Sequence, residues 1–346
     1  MFRYDMHTLP TEIADSIGTS TPRATCCRRM ADSGSWMNPM SSPENVASGN
    51  RSLDRLAADS AANVAAELVS GGSLEMGAHR PQDAREIAAL LPAGTPVYVN
   101  HLPRHKLLDS IPTLIAVREA GLEPVPHIAA RRIRDRAEIQ TFLARAVGDA
   151  GVRKALIIGG DEPAAAGPYA DGAALIREGL LAGTGLREIG LPGYPEGHPR
   201  IARAALESAF AEKRSLAAAQ GLGTYVLTQF SFAPARVIEY CAGLARSAPA
   251  VPVYVGLAGP TDPIALLRFA QRCGVSASLR ALRAQGMDAV RLVTHTDPGQ
   301  QLAALAHYCS VHAACNVVGV HLFTFGGVAS AAAWMNRYIA SRGGSG

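Results

Sequence analysis

The chain has 346 residues, 48% of them hydrophobic and 18% charged, an ordinary globular composition with apolar material for one large core or two modest ones. Its net charge of +4 comes from 33 basic and 29 acidic residues without a dense basic block, which argues against nucleic acid or an anionic membrane as partner, and aromatics at 5% are too few for base-stacking platforms. No apolar run approaches the roughly 20 residues of a membrane helix, and no signal-peptide pattern is present.

Residues 1–50 are rich in Ser, Pro, Asn and Met and lack an apolar period, so they are expected to form a disordered or loosely docked leader. From residue 51 to about 340 short apolar runs alternate with Ala/Leu/Arg-rich helical stretches, and residues 341–346, "RGGSG" with its preceding Ser341, read as a flexible tail. The runs are "SLEMGA" (73–78), "PVYVNH" (96–101), "EPVPHI" (123–128), "KALIIGG" (154–160), "REIGLPGY" (187–194), "TYVLTQF" (224–230), "VPVYVGL" (251–257) and "VVGVHLF" (317–323). Most are β-branched or aromatic enough for buried parallel strands. The gaps between them hold one helix each, except the last, which has room for two or three. Eight such units predict an α/β fold of the (β/α)8 TIM-barrel class as a single domain. A doubly wound open sheet would show a Gly-rich fingerprint after its first strand, and the chain has none.

Chemistry in such a barrel sits at the carboxyl ends of the strands. In chain order those ends carry Glu75; Asn100 and His101; His127; Asp161 after two glycines; Tyr194, Glu196 and His198 in "GYPEGHP"; Thr228 and Gln229; Gly256 and Gly259; and His321 with Phe323. The Pro- and Gly-stiffened turn at 193–199 is more rigid than packing alone asks for. His101, His105 and His321 read as structural or surface residues rather than ligands. The cysteines, Cys26, Cys27, Cys241, Cys273, Cys309 and Cys315, form no C-x-x-C pair with matching histidines, so no zinc knuckle is indicated. They read as reduced thiols of a cytoplasmic protein, and the last four as small core hydrophobes.

"YPEGHP" (194–199), "LTQFSF" (227–232), "VPHI" (125–128), "GGDEP…YAD" (159–171), the spacing from Gly256 to Phe269, and the strand-one glutamate in "SLEMGA" appear in order at strand ends. In these the chain resembles the methylenetetrahydrofolate reductase family over about residues 71–330. The resemblance implies a flavin-containing barrel that reduces 5,10-methylenetetrahydrofolate to 5-methyltetrahydrofolate with NAD(P)H, or runs the reverse in catabolic demethylation. It implies Glu75 and Asp161 as catalytic residues, Glu75 assisting the protonation that opens the folate's five-membered ring and Asp161 lying beside the flavin pyrimidine edge. It implies FAD held by His127, Asp161, Tyr169, Ala170, Tyr194, His198 and Lys213, and tetrahydrofolate substrate held by Glu75, Gln229 and Phe269. Gly159 stands where the family carries an arginine. No structural metal is implied, and a homo-oligomer or a partner subunit is compatible with the pattern.

Two other functions compete. One is a metal-dependent barrel hydrolase with His101, His127, Glu196 and His198 as ligands. The other is a non-catalytic folate-binding subunit.

Overall fold

A computed structural model describes residues 60–103, 105–262, 266 and 297–343. The leader 1–50 and Phe269 lie outside the described residues, as does most of the segment before the last strand. A helix over 60–70 (α1) leads into β1 (Ser73–Met76), α2 (Asp83–Ala88), β2 (Pro96–Val99), α3 (Ile111–Glu119) and β3 (Glu123–Ala129). There follow α4 (Arg136–Gly148), β4 (Lys154–Ile158), α5 (Gly172–Arg177), β5 (Glu188–Gly193), α6 (Arg203–Ala219) and β6 (Gly223–Thr228). The chain continues with α7 (Pro234–Ser247), β7 (Val253–Ala258), α8 (Gly299–Val311), β8 (Val317–Phe323) and α9 (Val328–Gly343). Short 3-10 turns at Leu107–Ser110 and Ala130–Arg132 precede α3 and α4.

The eight strands close into one barrel in sequence order, each parallel to both neighbours, so the chain is a (β/α)8 TIM barrel. Every run expected to be a strand is one, shifted by a residue or two at its ends. β1 stops at Met76 because the N–H of Ala78 is taken by the Asn100 side chain at 3.2 Å, which ends the ladder with β2. α9 continues to Gly343, into the residues read as tail.

Local chemistry sets the helix starts. Asp135 caps α4 by accepting the Glu138 N–H at 2.8 Å, and Asp171 caps α5 by accepting that of Ala174 at 2.8 Å. Pro234 opens α7, where its missing N–H costs nothing.

Alternation along the strands separates two apolar sets. Leu74, Val97, Ile157, Ile189, Val255 and Leu322 face outward into the main core beneath the helices. Tyr98, Val125, Leu156, Tyr225 and Leu227 form the inner cluster, with Ile158 and Tyr254 against it. Barrel interiors are usually filled by branched aliphatics; here three tyrosines take that place. The space comes from glycines. Gly190 is the registered neighbour of Tyr225, and a Cβ there would lie 2.6 Å from the ring. Gly319 is the registered neighbour of Tyr254, and its Cβ would lie 3.1 Å from that ring.

The expectation that the cysteines are core hydrophobes holds for buried Cys241 but is corrected for Cys309 and Cys315. Both are half-buried at the edge of the core, because one sits near the end of α8 and the other in the turn into β8. Cys273 lies outside the described residues.

Candidate functional site

The parallel barrel brings the strand ends carrying Glu75, His127, Asp161, His198 and Gln229 to one mouth. Contacts divide these residues into a lumen group and a rim group.

The lumen group is built from β1, β2, β3 and β8. Glu75 is half-buried and registered beside Tyr98. Burial pushes its carboxyl up to about 7, against a hydrogen bond from Asn100 that pulls the other way. The Glu75 carbonyl accepts the Thr324 hydroxyl at 3.0 Å, which ties β1 to the loop after β8. The Tyr98 ring meets His127 at 5.8 Å and His321 at 4.7 Å, both edge-on. His321 is wholly buried; its Nδ1 is 2.9 Å from the Ser73 hydroxyl, and its ring stands edge-on to Phe323 at 4.9 Å. The Nε2 atoms of both His127 and His321 are buried without a hydrogen-bond partner among the described residues. Such atoms are rare and call for an explanation. Burial, with His101 and Arg132 adding to it, pushes His127 down to about 3, and burial next to His127 also holds His321 well below its usual value. Both imidazoles are therefore neutral near pH 7, each able to offer one proton or one lone pair at Nε2.

His101 has a structural role, as its sequence context indicated. Its Nε2–H donates to the His105 carbonyl at 3.2 Å, and its Nδ1 accepts the Ala129 N–H at 3.4 Å. His321 is structural rather than at the surface: it is wholly buried, with Nδ1 against the Ser73 hydroxyl. Its β8 position opposite Ser73 turns it into the lumen, and a lone histidine in an apolar run gives no sign of that.

The rim group lies after β4 and β5. Tyr194 and His198 pack edge to face at 5.3 Å. The turn between them closes with the Gly197 N–H donating to the Tyr194 carbonyl at 3.0 Å, and Gly197 takes φ 79°, a conformation other residues reach only with strain. A Cβ at residue 193 would lie 2.8 Å from the Tyr240 hydroxyl, so Gly193 lets α7 press against the base of this turn. Burial pushes Tyr194 up to about 12, so it remains a neutral donor. Asp161 is exposed and faces Arg200 at 3.5 Å, while the Arg200 N–H donates to His198 Nδ1 at 3.2 Å. Gln229 donates its backbone N–H to the Gly193 carbonyl at 2.8 Å, and its side-chain oxygen accepts the Phe230 N–H at 3.1 Å.

Between the groups runs an arginine brace that residue spacing alone did not identify. Arg132, nearly buried, pairs with Glu162 at 2.5 Å and also donates to the His101 carbonyl. Arg131 donates to the Ala170 carbonyl at 2.6 Å and to the Glu162 carbonyl at 3.0 Å, and its N–H donates to the Gly159 carbonyl at 2.9 Å. Two guanidinium groups, Arg131 and Arg200, thus flank the turn at Gly159–Asp161. Buried Tyr169 lies on the same loop, its hydroxyl without a hydrogen-bond partner among the described residues.

Lys213 stands apart, on α6 in the helical layer. Its stem packs toward Gly172, and burial lowers its ammonium against the pull of Asp171 and Glu212. Among the described residues, no group of three or more His, Cys, Asp or Glu side chains is arranged to hold a metal ion, so His101, His127, Glu196 and His198 do not form the cluster a hydrolase would need. No described helix is long and apolar enough to cross a membrane.

No protein-family model matches the sequence. Among solved structures the chain is similar to an uncharacterised Clostridium thermocellum protein described as binding two copies of 5-methyl-5,6,7,8-tetrahydrofolic acid. The TM-score is 0.54 at 12% identity, over 78% of this chain and 95% of that one. It is also similar to a Yersinia pestis DHPS with a pterine–sulfa conjugate, TM-score 0.44 at 13% identity over 79% and 93% of the two chains. A Thermus thermophilus dihydropteroate synthase gives TM-score 0.42 at 13% identity over 80% and 94%. At these identities the likeness is one of fold.

Proposed function

We propose that the barrel mouth binds a reduced folate and acts on its one-carbon group, as a flavin-dependent oxidoreductase interconverting 5,10-methylenetetrahydrofolate and 5-methyltetrahydrofolate with NAD(P)H. The observation that carries this is Glu75, a carboxyl raised to about 7 at the carboxyl end of β1 and registered beside Tyr98, whose ring meets two imidazoles with Nε2 atoms that have no partner among the described residues. Opening an aminal bridge requires a proton on the leaving nitrogen, and a carboxylic acid poised near neutrality can give it. A barrel of similar fold described as binding 5-methyltetrahydrofolate is in keeping with this reading.

Each group has a part. Glu75 holds the proton and delivers it to the bridge nitrogen. His127 and His321, kept neutral, offer hydrogen bonds to a polar heteroaromatic ring without adding charge. Gln229 presents an amide that donates and accepts at once. The residues expected to line FAD fit it in one respect: His127 and Tyr169 both carry a buried polar atom with no partner among the described residues. Tyr194, His198, Ala170 and Asp161 would complete its surroundings, with Arg131 and Arg200 supplying the cations that Gly159 does not. Bound flavin would supply hydride transfer. The chain's own residues orient the ring, exclude water and place the proton.

The absorbance spectrum of purified protein with and without FAD, joined to calorimetric titration with 5-methyltetrahydrofolate, tests the proposal. Flavin bands and saturable folate binding support it. Folate binding by a colourless protein that takes up no FAD replaces it with the non-catalytic binding subunit, and absence of folate binding overturns it.

A further inference from the structure

Far from the mouth, at the turn from α8 into β8, Cys309 and Cys315 are six residues apart in sequence with their Sγ atoms 3.0 Å apart. Both are half-buried rather than sealed in the core. The turn holds them together: the Cys315 N–H donates to the His312 carbonyl at 2.9 Å, and His312 Nδ1 lies 2.9 Å from the Tyr308 carbonyl. Cys241 of α7 is a third thiol nearby but is buried. Elsewhere in the fold the buried cysteine is inert packing; here the backbone presents two sulfurs to each other and leaves them reachable.

We propose that Cys309 and Cys315 form a reversible modification site, a vicinal dithiol that is oxidised to a disulfide by small-molecule disulfides of the glutathione class. The Cys315 thiolate attacks one sulfur of the oxidant, forming a mixed disulfide and expelling one small thiolate. The Cys309 sulfur, after losing its proton to solvent, attacks Cys315 Sγ and expels the second. Two protein thiols are oxidised and one small disulfide is reduced to two thiols, so atoms and electrons balance. The order of attack follows from the surroundings of the pair. Contacts with the Cys309 sulfur, the Val317 backbone and His312 hold the Cys315 thiol below its usual value, whereas contact with Cys315 and burial raise that of Cys309. Cys241, pushed up to about 12 by burial, stays a thiol and takes no part. The product would tie the end of α8 to the start of β8.

Full-length protein is equilibrated with oxidised and reduced glutathione, quenched in acid, alkylated and mapped by peptide mass spectrometry. The expected result is one linkage, Cys309 to Cys315, fully reversed by excess reduced glutathione, with Cys241 alkylated throughout. Cys309→Ser should trap a glutathione adduct on Cys315 and Cys315→Ser one on Cys309, because each variant lacks the second thiol that resolves the mixed disulfide, and neither should form the internal linkage. Both serine variants keep the fold to the extent that their thermal midpoints match the parent under reducing conditions. Equal alkylation of Cys309 and Cys315 with and without oxidant overturns the proposal, as does linkage of Cys315 to Cys241 or Cys273 instead.

Discussion

The hydroxyl of Tyr98 on β2 donates to the hydroxyl of Tyr225 on β6 at 2.9 Å, joining strands on opposite sides of the barrel through its interior. Burial raises both phenols above their ordinary range, so the bond is between neutral groups at any working pH. Tyr98 also touches both lumen imidazoles, so the same ring that braces the barrel shapes the floor of the proposed site.

Tyr98→Phe leaves the Tyr225 hydroxyl buried and unpaired. A loss of about 1–3 kcal/mol is expected in urea unfolding. Adding Tyr225→Phe should recover part of it, because the orphaned group is then gone. A single variant as stable as the parent would show that water replaces the bond.

Gly190→Ala places a Cβ 2.6 Å from the Tyr225 ring. Overpacking of this kind costs about 1–3 kcal/mol. Tyr225→Leu in the same chain should relieve it, which a thermal melt of the double variant would reveal; additive losses would place the strain elsewhere.

Glu75 ties stability to pH. Its pKa is raised on folding from 4.5 to about 7, so its favourable contribution is complete in acid and is lost as pH rises between those values. His127 acts oppositely, its pKa lowered from 6.5 to about 3, so its contribution is lost as pH falls through that range. Glu75→Gln removes only the first effect. The variant should match the parent near pH 4 and exceed it by up to about 3 kcal/mol at pH 8, read as unfolding midpoints across the range. A difference that does not grow with pH would place the carboxylate in contact with water.

The same substitution separates the proposed half-reactions. Hydride transfer from nicotinamide to flavin needs no acid at the folate, whereas opening the bridge does. Glu75→Gln should slow folate reduction by about 10²–10⁴-fold and leave cofactor reduction nearly intact in stopped-flow traces. In the parent, folate reduction should decline as pH rises through about 7, because the acid form of Glu75 is being lost. Equal losses in both half-reactions would make Glu75 a structural residue.

Arg132→Lys tests the brace between the groups. Lysine keeps the charge beside Glu162 but not the fork that also reaches the His101 carbonyl. A stability loss of about 1–3 kcal/mol and weaker ligand binding are expected, with Arg132→Lys recovering little relative to Arg132→Ala.

The barrel was legible because its strands are short apolar runs at regular spacing, and a parallel sheet buried on both faces leaves no other use for "KALII" or "VVGVHLF". Glu75 and the stiff turn holding Tyr194 and His198 were legible for a different reason: a carboxylate in an apolar run, or two prolines around a histidine, is costly unless it has a task. His321 was not, since only its register against Ser73 turns it inward. Nor were Arg131 and Arg132, which look like any charged helix start until a 3-10 turn aims one at Ala170 and the other at Glu162. The cysteine pair depends on how tightly the chain turns after α8, which spacing alone does not fix.

The glycine–tyrosine pair across β5–β6 constrains how this lineage can change. It couples an empty position on one strand to a large ring on the next, and the atoms nearest a Cβ at 190 all belong to Tyr225, so a side chain gained at 190 requires a smaller one at 225. Homologues should therefore conserve the summed volume of this pair rather than the residues themselves, and positions 190 and 225 should show as covarying columns. Position 319 differs: a Cβ there would lie 2.5 Å from the Gly71 carbonyl oxygen, so a smaller residue at 254 would not free it, and 319 should stay glycine.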